Sequence, residues 1–394
     1  PPSLTRRQLA MSQLGATQYD KGTKPEKGQF NSFHHLHFWV GNAFQAASFY
    51  AIRFGFKAIA YRGLETGHRD CATHVVKQNN IVFAFSTPYH ADHPINDILR
   101  KSGDGVHDVC LAVDDCRGIF ESAVARGAKV VKEPTEETDE NGTVVTATIQ
   151  TYGDTVHTFV QLGDYKGAFL PNFKVIEEED PANAVLPDPQ LVCIDHVVAN
   201  QPDGQMDTAV NWYVNVLQFH RFWSVDDSAM HTEFSALRSV VVTNYEETVK
   251  MPINEPAAGL RKSQIQEYVD YYGGPGVQHV ALYTSDILTS VRNLRARGIK
   301  FLRVPKVYYD DLRKRLAEAK MELAEDFDTI EELGILVDFD EGGYLLQLFT
   351  FPQEDRPTLF FEIIQRHNHW GFGVGNFKAL FQAIERTQAE RGNL

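Results

Sequence analysis

The chain contains one sequence unit twice. Residues Leu36 to Gly63 match Asp195 to Trp223, because each stretch has an alternating strand that includes a His, an amphipathic helix and a further strand. Residues Gly105 to Pro134 match Gly276 to Pro305, and both contain strand, helix, the tripeptide "ARG", strand and Pro in this order. A duplicated strand-helix-strand unit predicts an α+β protein with two related halves.

The acidic, proline-rich stretch "KVIEEEDPANAVLPDP" is typical of a linker between these halves. We therefore expect an N-terminal domain over residues 1–173, a linker over residues 174–190 and a C-terminal domain over residues 191–394. Helix starts are predicted at the capping residues Asp114 and Ser285. Residues 306–333 are predicted to form a charged helical insertion, and Asn376 is the predicted cap of a last helix.

Composition excludes several classes of function. The chain has 38 Lys+Arg against 52 Asp+Glu, a formal net charge of −14, and no basic run, which argues against a nucleic-acid partner. No apolar run approaches the roughly 20 residues of a membrane-spanning helix. The cysteines show neither a CxxC pair nor zinc-type spacing, so we expect free thiols at Cys71, Cys110, Cys116 and Cys193. Free thiols are typical of a reducing compartment, so we expect the protein to be cytoplasmic.

Three residues of the second half are candidate metal ligands. His196 and His279 each lie in the first strand of a unit, and Glu362 lies in the apolar strand "TLFFEIIQR". Each of these three candidate ligands is separated from the next by 83 residues, which favours their placement on corresponding strands of consecutive modules. Two imidazoles and one carboxylate on one face form the facial triad of non-haem Fe(II) enzymes, although zinc, cobalt and manganese accept the same ligands.

The first half is not expected to bind a metal. Alignment of the repeats predicts that the counterparts of the three candidate ligands are His37, Asp108 and Phe159. One imidazole facing a phenyl ring does not hold a catalytic metal, so we expect one metal site per chain. The spacing of the remaining clustered histidines fits no facial arrangement, and we expect no metal at His34, His35, His367 or His369.

The paired units resemble the vicinal oxygen chelate superfamily. The resemblance implies tandem βαβββ modules that form two open, curved mixed-sheet barrels, followed by a C-terminal lid helix. Seven further blocks together resemble the 4-hydroxyphenylpyruvate dioxygenase family of the eukaryotic type, namely "PINEP", "RKSQIQEYV", "GVQHVAL", "EELGILVD", "YLLQLFT", "RPTLFFEIIQR" and "GFGVGNF".

This resemblance implies a specific reaction. One Fe(II) per chain, bound by His196, His279 and Glu362, would serve the conversion of 4-hydroxyphenylpyruvate and O2 to homogentisate and CO2. The steps implied are oxidative decarboxylation, ring hydroxylation and side-chain migration. The family also implies a homodimer and a place in tyrosine and phenylalanine catabolism.

The resemblance further implies the residues of a substrate pocket. Neutral polar side chains suit the orientation of a phenol and of oxygen, and those implied are Ser235, Asn254, Gln264, Gln278 and Gln347. The implied apolar wall consists of Pro252, Phe349, Phe360, Phe372 and Phe377. Gln278 adjoins His279 and therefore needs a bulge or sheet curvature to reach the same face. The glycines at 371, 373 and 375 resemble the family's pliant lid.

Three alternative functions stay open at the level of the sequence. Hydroxymandelate synthase shares the fold, metal and substrate but oxidises the benzylic carbon. Extradiol cleavage of a catechol also uses such a triad. A metal-free protein that sequesters a ligand or serves as a scaffold is the alternative from a different class.

Overall fold

The structure is a computed structural model that describes residues 19–225 and 236–393. Its first half contains nine strands in one sheet. In chain order the elements are β1 (Phe30–Trp39), α1 (Ala43–Phe54), β2 (Lys57–Arg62), β3 (Cys71–Gln78), β4 (Ile81–Pro88), α2 (Ile95–Ser102), β5 (Gly105–Val113), α3 (Cys116–Ala125), β6 (Lys129–Asp139), β7 (Gly142–Gln150), β8 (Val156–Gln161) and β9 (Lys174–Val175). A short helix, α4 (Pro181–Ala184), follows.

In the described part of the second half, eight strands form a second sheet. Its elements are β10 (Leu191–Asn200), α5 (Met206–Val216), β11 (His220–Val225), β12 (Ala236–Thr243), β13 (Lys250–Ala257), α6 (Gln264–Tyr272), β14 (Gly276–Thr284), α7 (Ile287–Ala296), α8 (Lys306–Ala319), α9 (Phe327–Leu333), β15 (Leu336–Asp340), β16 (Gly343–Phe349), β17 (Phe360–His367) and α10 (Phe377–Glu390). Within the described ranges, no helix combines the length and the apolar composition that crossing a membrane requires.

The two sheets have the same pairing pattern at their centres. In the first, β1 pairs antiparallel with β5 and parallel with β4, and β5 pairs parallel with β8. In the second, β10 pairs antiparallel with β14 and parallel with β13, and β14 pairs parallel with β17. This confirms the predicted fold of tandem modules in two open, curved mixed sheets with a C-terminal helix. The domain limits stay a prediction, and Lys174–Val175 of the predicted linker pairs with β2 in the first sheet.

The predicted helix caps are each wrong by one residue. Helix α3 is capped by Asp115, and α7 by Asp286; each carboxylate accepts a hydrogen bond from the backbone N–H three residues later, at 2.9 and 3.0 Å. The predicted caps, Asp114 and Ser285, immediately precede them. Two adjacent cap-forming side chains occur at both sites, and only the backbone geometry decides which of them faces the first turn.

The predicted helical insertion over residues 306–333 forms α8 and α9. The hydroxyl of Tyr308 in α8 donates a hydrogen bond to Asn376 Oδ1 (2.7 Å), just before α10. Asn376 therefore precedes the last helix as predicted, but its side chain connects this helix to α8 instead of capping it.

The halves pack together behind strand β17. The Phe361 ring is fully buried, and its centroid lies 4.9 Å from that of Phe54 in α1 and 5.9 Å from that of Phe83 in β4. Burial of such a side chain contributes about 1.5–3 kcal/mol. Because side chains alternate along a strand, Phe361 faces the first half while its neighbour Glu362 faces the opposite side. The first half therefore supports the strand that carries a candidate ligand.

A buried guanidinium also joins the two halves. Arg297, just after α7, donates hydrogen bonds to the carbonyl oxygens of Ile52 (2.8 Å), Leu186 (3.1 Å) and Pro187 (2.6 Å). It donates a further one to Asn183 Oδ1 (2.8 Å) in α4. One side chain of the second half thus satisfies acceptors in the first half and in the connecting segment, which orients the halves.

We expect Phe361→Ala to lower the free energy of unfolding by about 3–5 kcal/mol, because it removes a phenyl ring that both halves enclose. Chemical denaturation measures this loss. The matched control is Phe44→Ala in α1, where the ring is 69% exposed and the change should stay within about 0.5 kcal/mol. Equal effects of the two substitutions would contradict the packing described for Phe361.

Candidate metal centre

The three candidate ligands lie on adjacent strands at the centre of the second sheet. Strands β10, β14 and β17 are neighbours in this order. His196 pairs with Ala281 across one ladder, and Ala281 pairs with Glu362 across the next. His279 lies two residues before Ala281, and side chains two residues apart share a face of a strand. Strand pairing therefore brings all three side chains to one face.

Their donor atoms converge. The Nε2 atoms of His196 and His279 lie 3.2 and 3.5 Å from the same Glu362 oxygen, Oε2, and the three ligand atoms are all within 4.8 Å of one another. The Nδ1 atoms point away, to Asp195 Oδ1 (2.7 Å) and Gln278 Oε1 (2.9 Å). Partners at Nδ1 leave Nε2 free to bind a metal. Two imidazole nitrogens and one carboxylate fit a divalent transition metal with open positions.

The electrostatics favour this donor set. Burial raises the pKa of the Glu362 carboxyl, but the two imidazoles outweigh burial and lower that pKa below its usual value. Burial lowers the pKa of His279. Glu362 is therefore ionised and His279 neutral at pH 7, as metal binding requires. For His196, burial lowers the pKa, but Glu362 and Asp195 outweigh burial and raise the pKa, so a proton competes with a metal ion for this imidazole as pH falls.

A pocket with an empty volume of about 550 Å³ opens beside the three ligands. It lies between β12, β13, β14 and β17 on one side and α10 with its preceding segment on the other. Its remaining lining residues are Val198, Trp223, Leu237, Ser239, Val241, Pro252, Asn254, Gln264, Ile265, Gln278, Phe349, Phe360, Phe372, Phe377, Leu380, Phe381 and Ile384. None of these described lining residues is Lys or Arg, so the wall itself brings no positive charge.

All five residues of the implied apolar wall line this pocket. The Phe360 ring stacks on His279 with 4.8 Å between centroids, and Phe349 lies edge-on to the same imidazole at 6.0 Å. The Phe372 ring lies 5.1 Å from that of His196. The aromatic rings therefore pack against the candidate ligands themselves as well as against the pocket space.

Gln278 reaches the pocket through a bulge. Val198 pairs with His279 and Ala199 pairs with Val277, so β14 has one extra residue between these pairs, and this residue is Gln278. A bulge turns two successive side chains toward one face. Gln278 and His279 accordingly both line the pocket, and the condition stated from the sequence is met.

The other implied polar residues differ in position. Asn254 and Gln264 line the pocket. Gln347 is fully buried, and its amide packs against Gly373, where an added Cβ would lie 2.3 Å from Gln347 Nε2. Gly373 also has φ +78°, a backbone conformation that favours glycine. Neither amide atom of Gln347 has a hydrogen-bond partner among the described residues. Ser235 lies outside the described residues.

Sequence reasoning missed Ser239, which lines the pocket from β12. It pairs with Asn254 on β13, and Val241 pairs with Pro252 two residues away. The signal was available in the alternation of β12, because residues 237, 239 and 241 share a face. Using it required the pairing partner of β12, which the sequence does not provide.

The counterparts in the first half differ from those predicted. His35 pairs with Cys110 as His196 pairs with Ala281, so His35 is the counterpart of His196, and the prediction of His37 was wrong by two residues. Both imidazoles alternate to the same face, so side-chain alternation could not distinguish them. The shifts in pairing along β1 and β10 decided the correspondence.

The predicted counterpart of Glu362 in the first half, Phe159, was wrong by one residue. Asp108 pairs with Val156 and Leu111 pairs with Phe159, which sets Thr158 in the place of Glu362. Phe159 itself faces the core, 5.7 Å from the Phe30 ring. Asp108 occupies the place of His279 as predicted, and it accepts hydrogen bonds from the backbone N–H (2.9 Å) and the hydroxyl of Thr158.

Asp108 leads to a prediction about stability. Burial raises its pKa to about 6, above the roughly 3.9 of an unfolded chain, so folding favours the protonated form. The contribution of Asp108 to the unfolding free energy should therefore fall as pH rises from 4 to 6. Asn does not titrate, so Asp108→Asn lacks this pH-dependent loss of stability. The unfolding free energy of the variant, relative to that of the unsubstituted chain, should therefore increase by up to roughly 3 kcal/mol between pH 4 and 7. Denaturation at several pH values measures this difference, and a constant difference would contradict the assignment.

The metal centre leads to a second prediction. His279→Ala should abolish stoichiometric binding of Co(II), because the two remaining donors leave an incomplete site. Equilibrium dialysis and the visible spectrum of Co(II) measure binding. The control is His35→Ala, which removes a buried imidazole from the first half and should leave binding intact. Equal loss in both folded variants would contradict the assignment.

Known proteins resemble this chain over most of its length. A profile of the Glyoxalase/Bleomycin resistance protein/Dioxygenase superfamily matches residues 32–155 and 193–319. The 4-hydroxyphenylpyruvate dioxygenase of Xenopus tropicalis is 58% identical over 377 residues, which cover 95% of this chain and 96% of that protein. The enzyme of the same name from Danio rerio is 57% identical and covers 95% of each chain.

Solved structures agree with this similarity. A mutant of 4-hydroxymandelate synthase from Streptomyces coelicolor superimposes with a TM-score of 0.79 at 29% sequence identity, covering 91% of this chain and 99% of that one. Its overall fold is therefore the same, while the sequence similarity to the dioxygenases is about twice as high. The chain belongs to the 4-hydroxyphenylpyruvate dioxygenase family.

Proposed function

We propose that this chain converts 4-hydroxyphenylpyruvate and O2 to homogentisate and CO2, with one Fe(II) held by His196, His279 and Glu362. The observation that supports this most directly is the convergence of these three side chains at the end of a neutral, aromatic pocket. The high identity to enzymes named for this reaction supports the choice of substrate. When bound, Fe(II) supplies open coordination positions for the keto acid and oxygen and exchanges electrons with them.

The charge of the pocket fits a keto acid that binds through a metal. The substrate brings one negative charge, and Glu362 brings another, so together they neutralise a divalent cation. The described lining residues include no Lys or Arg that would compete for the substrate carboxylate. The carboxylate end of the substrate is therefore directed to the ligands, and its ring extends toward α10.

The amide side chains orient the substrate. Asn254, Gln264 and Gln278 present neutral donors and acceptors along the pocket. The buried amide of Gln347, which has no hydrogen-bond partner among the described residues, adds another beside Gly373. Amides bind a phenol hydroxyl or an oxygen atom without adding charge, and they resist oxidation better than a thiol or thioether. Ser239, opposite Asn254, extends this polar group, and Ser235 stays a proposed member from the sequence alone.

The aromatic residues hold the ring and exclude water. Phe349 and Phe360 form one wall beside His279. Phe372, in the segment before α10, and Phe377, the first residue of α10, also line the pocket. Exclusion of water protects a reactive oxidant from unproductive reactions. Their rigid faces also limit how far the substrate ring can move.

Oxidation of the benzylic carbon is the second candidate function. The similarity in fold to 4-hydroxymandelate synthase favours it, because the same scaffold can present the same substrate to the metal. The two outcomes differ in which carbon lies nearest the oxidant, and hence in the shape of the aromatic wall. The product of the reaction distinguishes them.

Three finer properties belong to the same proposal. A place in tyrosine and phenylalanine catabolism follows from the substrate. The free thiols of all four cysteines agree with a reducing compartment such as the cytoplasm. A homodimer is proposed by family resemblance.

Anaerobic reconstitution with Fe(II), followed by 4-hydroxyphenylpyruvate and air, tests the proposal. We expect consumption of one O2 per substrate and homogentisate as the product, and no uptake by the His279→Ala variant. An oxygen electrode and chromatography measure these quantities. Formation of 4-hydroxymandelate would replace the proposal by the second candidate. Bound iron without oxygen uptake would contradict the substrate, and failure to bind iron would favour a metal-free ligand-binding protein.

A further inference from the structure

Arg366 lies outside the pocket but on the strand that carries Glu362. It is four residues further along β17, so its side chain leaves the strand on the same face. Its side chain is 13% exposed, and its guanidinium forms a bidentate ion pair with Asp195, from Nε to Oδ2 at 2.8 Å and from Nη2 to Oδ1 at 2.7 Å. Such a fork fixes the orientation of the carboxylate as well as its position.

Asp195 in turn orients a candidate metal ligand. Its Oδ1 accepts the hydrogen bond from His196 Nδ1 (2.7 Å), and the opposite ring nitrogen faces Glu362. A carboxylate at the distal nitrogen fixes the tautomer and the plane of a metal-binding imidazole. Two hydrogen-bonded contacts thus connect the guanidinium to His196 Nδ1, on the opposite side of the ring from the nitrogen that faces the candidate metal site.

The same guanidinium also holds the segment that covers the pocket. Arg366 Nη1 donates to the carbonyl oxygens of Gly371 (2.6 Å) and His369 (3.2 Å). Its central carbon lies 5.6 Å from the centroid of the Phe372 ring, and that ring lies 5.1 Å from the imidazole of His196. The covering segment and the candidate ligand therefore share one rigid cation as their support.

We propose that Arg366 is a positioning residue that couples the closed arrangement of residues 369–372 to the orientation of His196 through Asp195. This rests on the proposed function of the site and adds a link between its cover and its metal. A planar fork with five donors reaches both the carboxylate and the two carbonyls at once, which an ammonium group does not. Opening of the segment removes acceptors from Arg366 and loosens the ion pair that orients His196.

The second imidazole ligand provides an internal contrast. His279 Nδ1 is bound by the neutral Oε1 of Gln278, which belongs to the pocket wall and has no described hydrogen bond to the covering segment. His196 alone of the two is therefore expected to respond to the segment. A role limited to general stability would affect both ligands and the whole second half alike.

Arg366→Lys tests the coupling without measuring turnover. Lys keeps the charge beside Asp195 but cannot maintain both sets of hydrogen bonds. We expect the dissociation constant for Co(II) to rise about 10- to 100-fold. In the unsubstituted chain, Co(II) should slow amide hydrogen exchange in residues 369–376, and this protection should disappear in the variant. Arg313→Lys, at an exposed ion pair with Asp328, is the matched control and should change neither quantity.

Phe372→Ala completes a double-mutant cycle on Co(II) affinity. The proposal predicts that this substitution weakens binding in the unsubstituted chain and has a smaller effect when Arg366→Lys is present, because the connection is already broken. Additive effects, or retention of the metal-dependent protection in Arg366→Lys, would overturn the coupling. Weaker Co(II) binding with intact protection would also overturn it, since Arg366 would then support His196 alone.

Asp195→Asn provides the same test if Arg366→Lys does not fold. The amide still accepts a hydrogen bond but loses the charge that holds the guanidinium, so the same loss of protection is expected. The readouts use Co(II) and the complete chain. Failure of the unsubstituted chain to oxidise 4-hydroxyphenylpyruvate, with the expected loss of protection in the variants, would therefore refute the proposed function alone. Normal turnover of the unsubstituted chain, with the Co(II)-dependent protection retained in Arg366→Lys and Asp195→Asn, would refute this inference alone.

Discussion

The registry of three strands is the constraint on which the site depends. His196 and Glu362 meet because both pair with Ala281, and His279 joins them because it lies two residues along the same strand. A slip of one residue in either ladder would turn a ligand to the opposite face. The backbone hydrogen bonds of β10, β14 and β17 therefore determine the site before any contact between the ligands themselves.

The opposite face of these strands packs against the first half of the chain, which contains none of the three candidate metal ligands. Phe361 alternates with Glu362 and packs between α1 and β4, so the first half holds β17 in place from behind. Arg297 orients the same two halves through carbonyl oxygens of α1 and of the connecting segment. The first half thus supports a strand of the second half, and the three candidate metal ligands all lie in the second half.

Charge is distributed unequally around the centre. The described pocket wall is neutral and aromatic. His196 Nδ1, which faces away from the pocket, contacts the buried ion pair of Asp195 and Arg366. In the described part of this wall, no Lys or Arg side chain would compete with a bound metal ion for an anionic substrate. The ion pair lies where it can orient a ligand without attracting the substrate. This separation also brings Arg366 within reach of the segment that covers the pocket.

The sequence alone determined the duplication, the fold class and the types of residue at the centre, because repeats and side-chain alternation are local patterns. Tertiary structure decided the rest. His35 rather than His37 matches His196, Thr158 rather than Phe159 matches Glu362, and Gln278 enters the pocket through a bulge. The equal spacing of 83 residues does not reflect three equivalent strands, since β10 and β14 begin modules whereas β17 ends one. The physical reason is that registry and bulges arise from hydrogen bonds between residues far apart in the chain, which no local pattern contains.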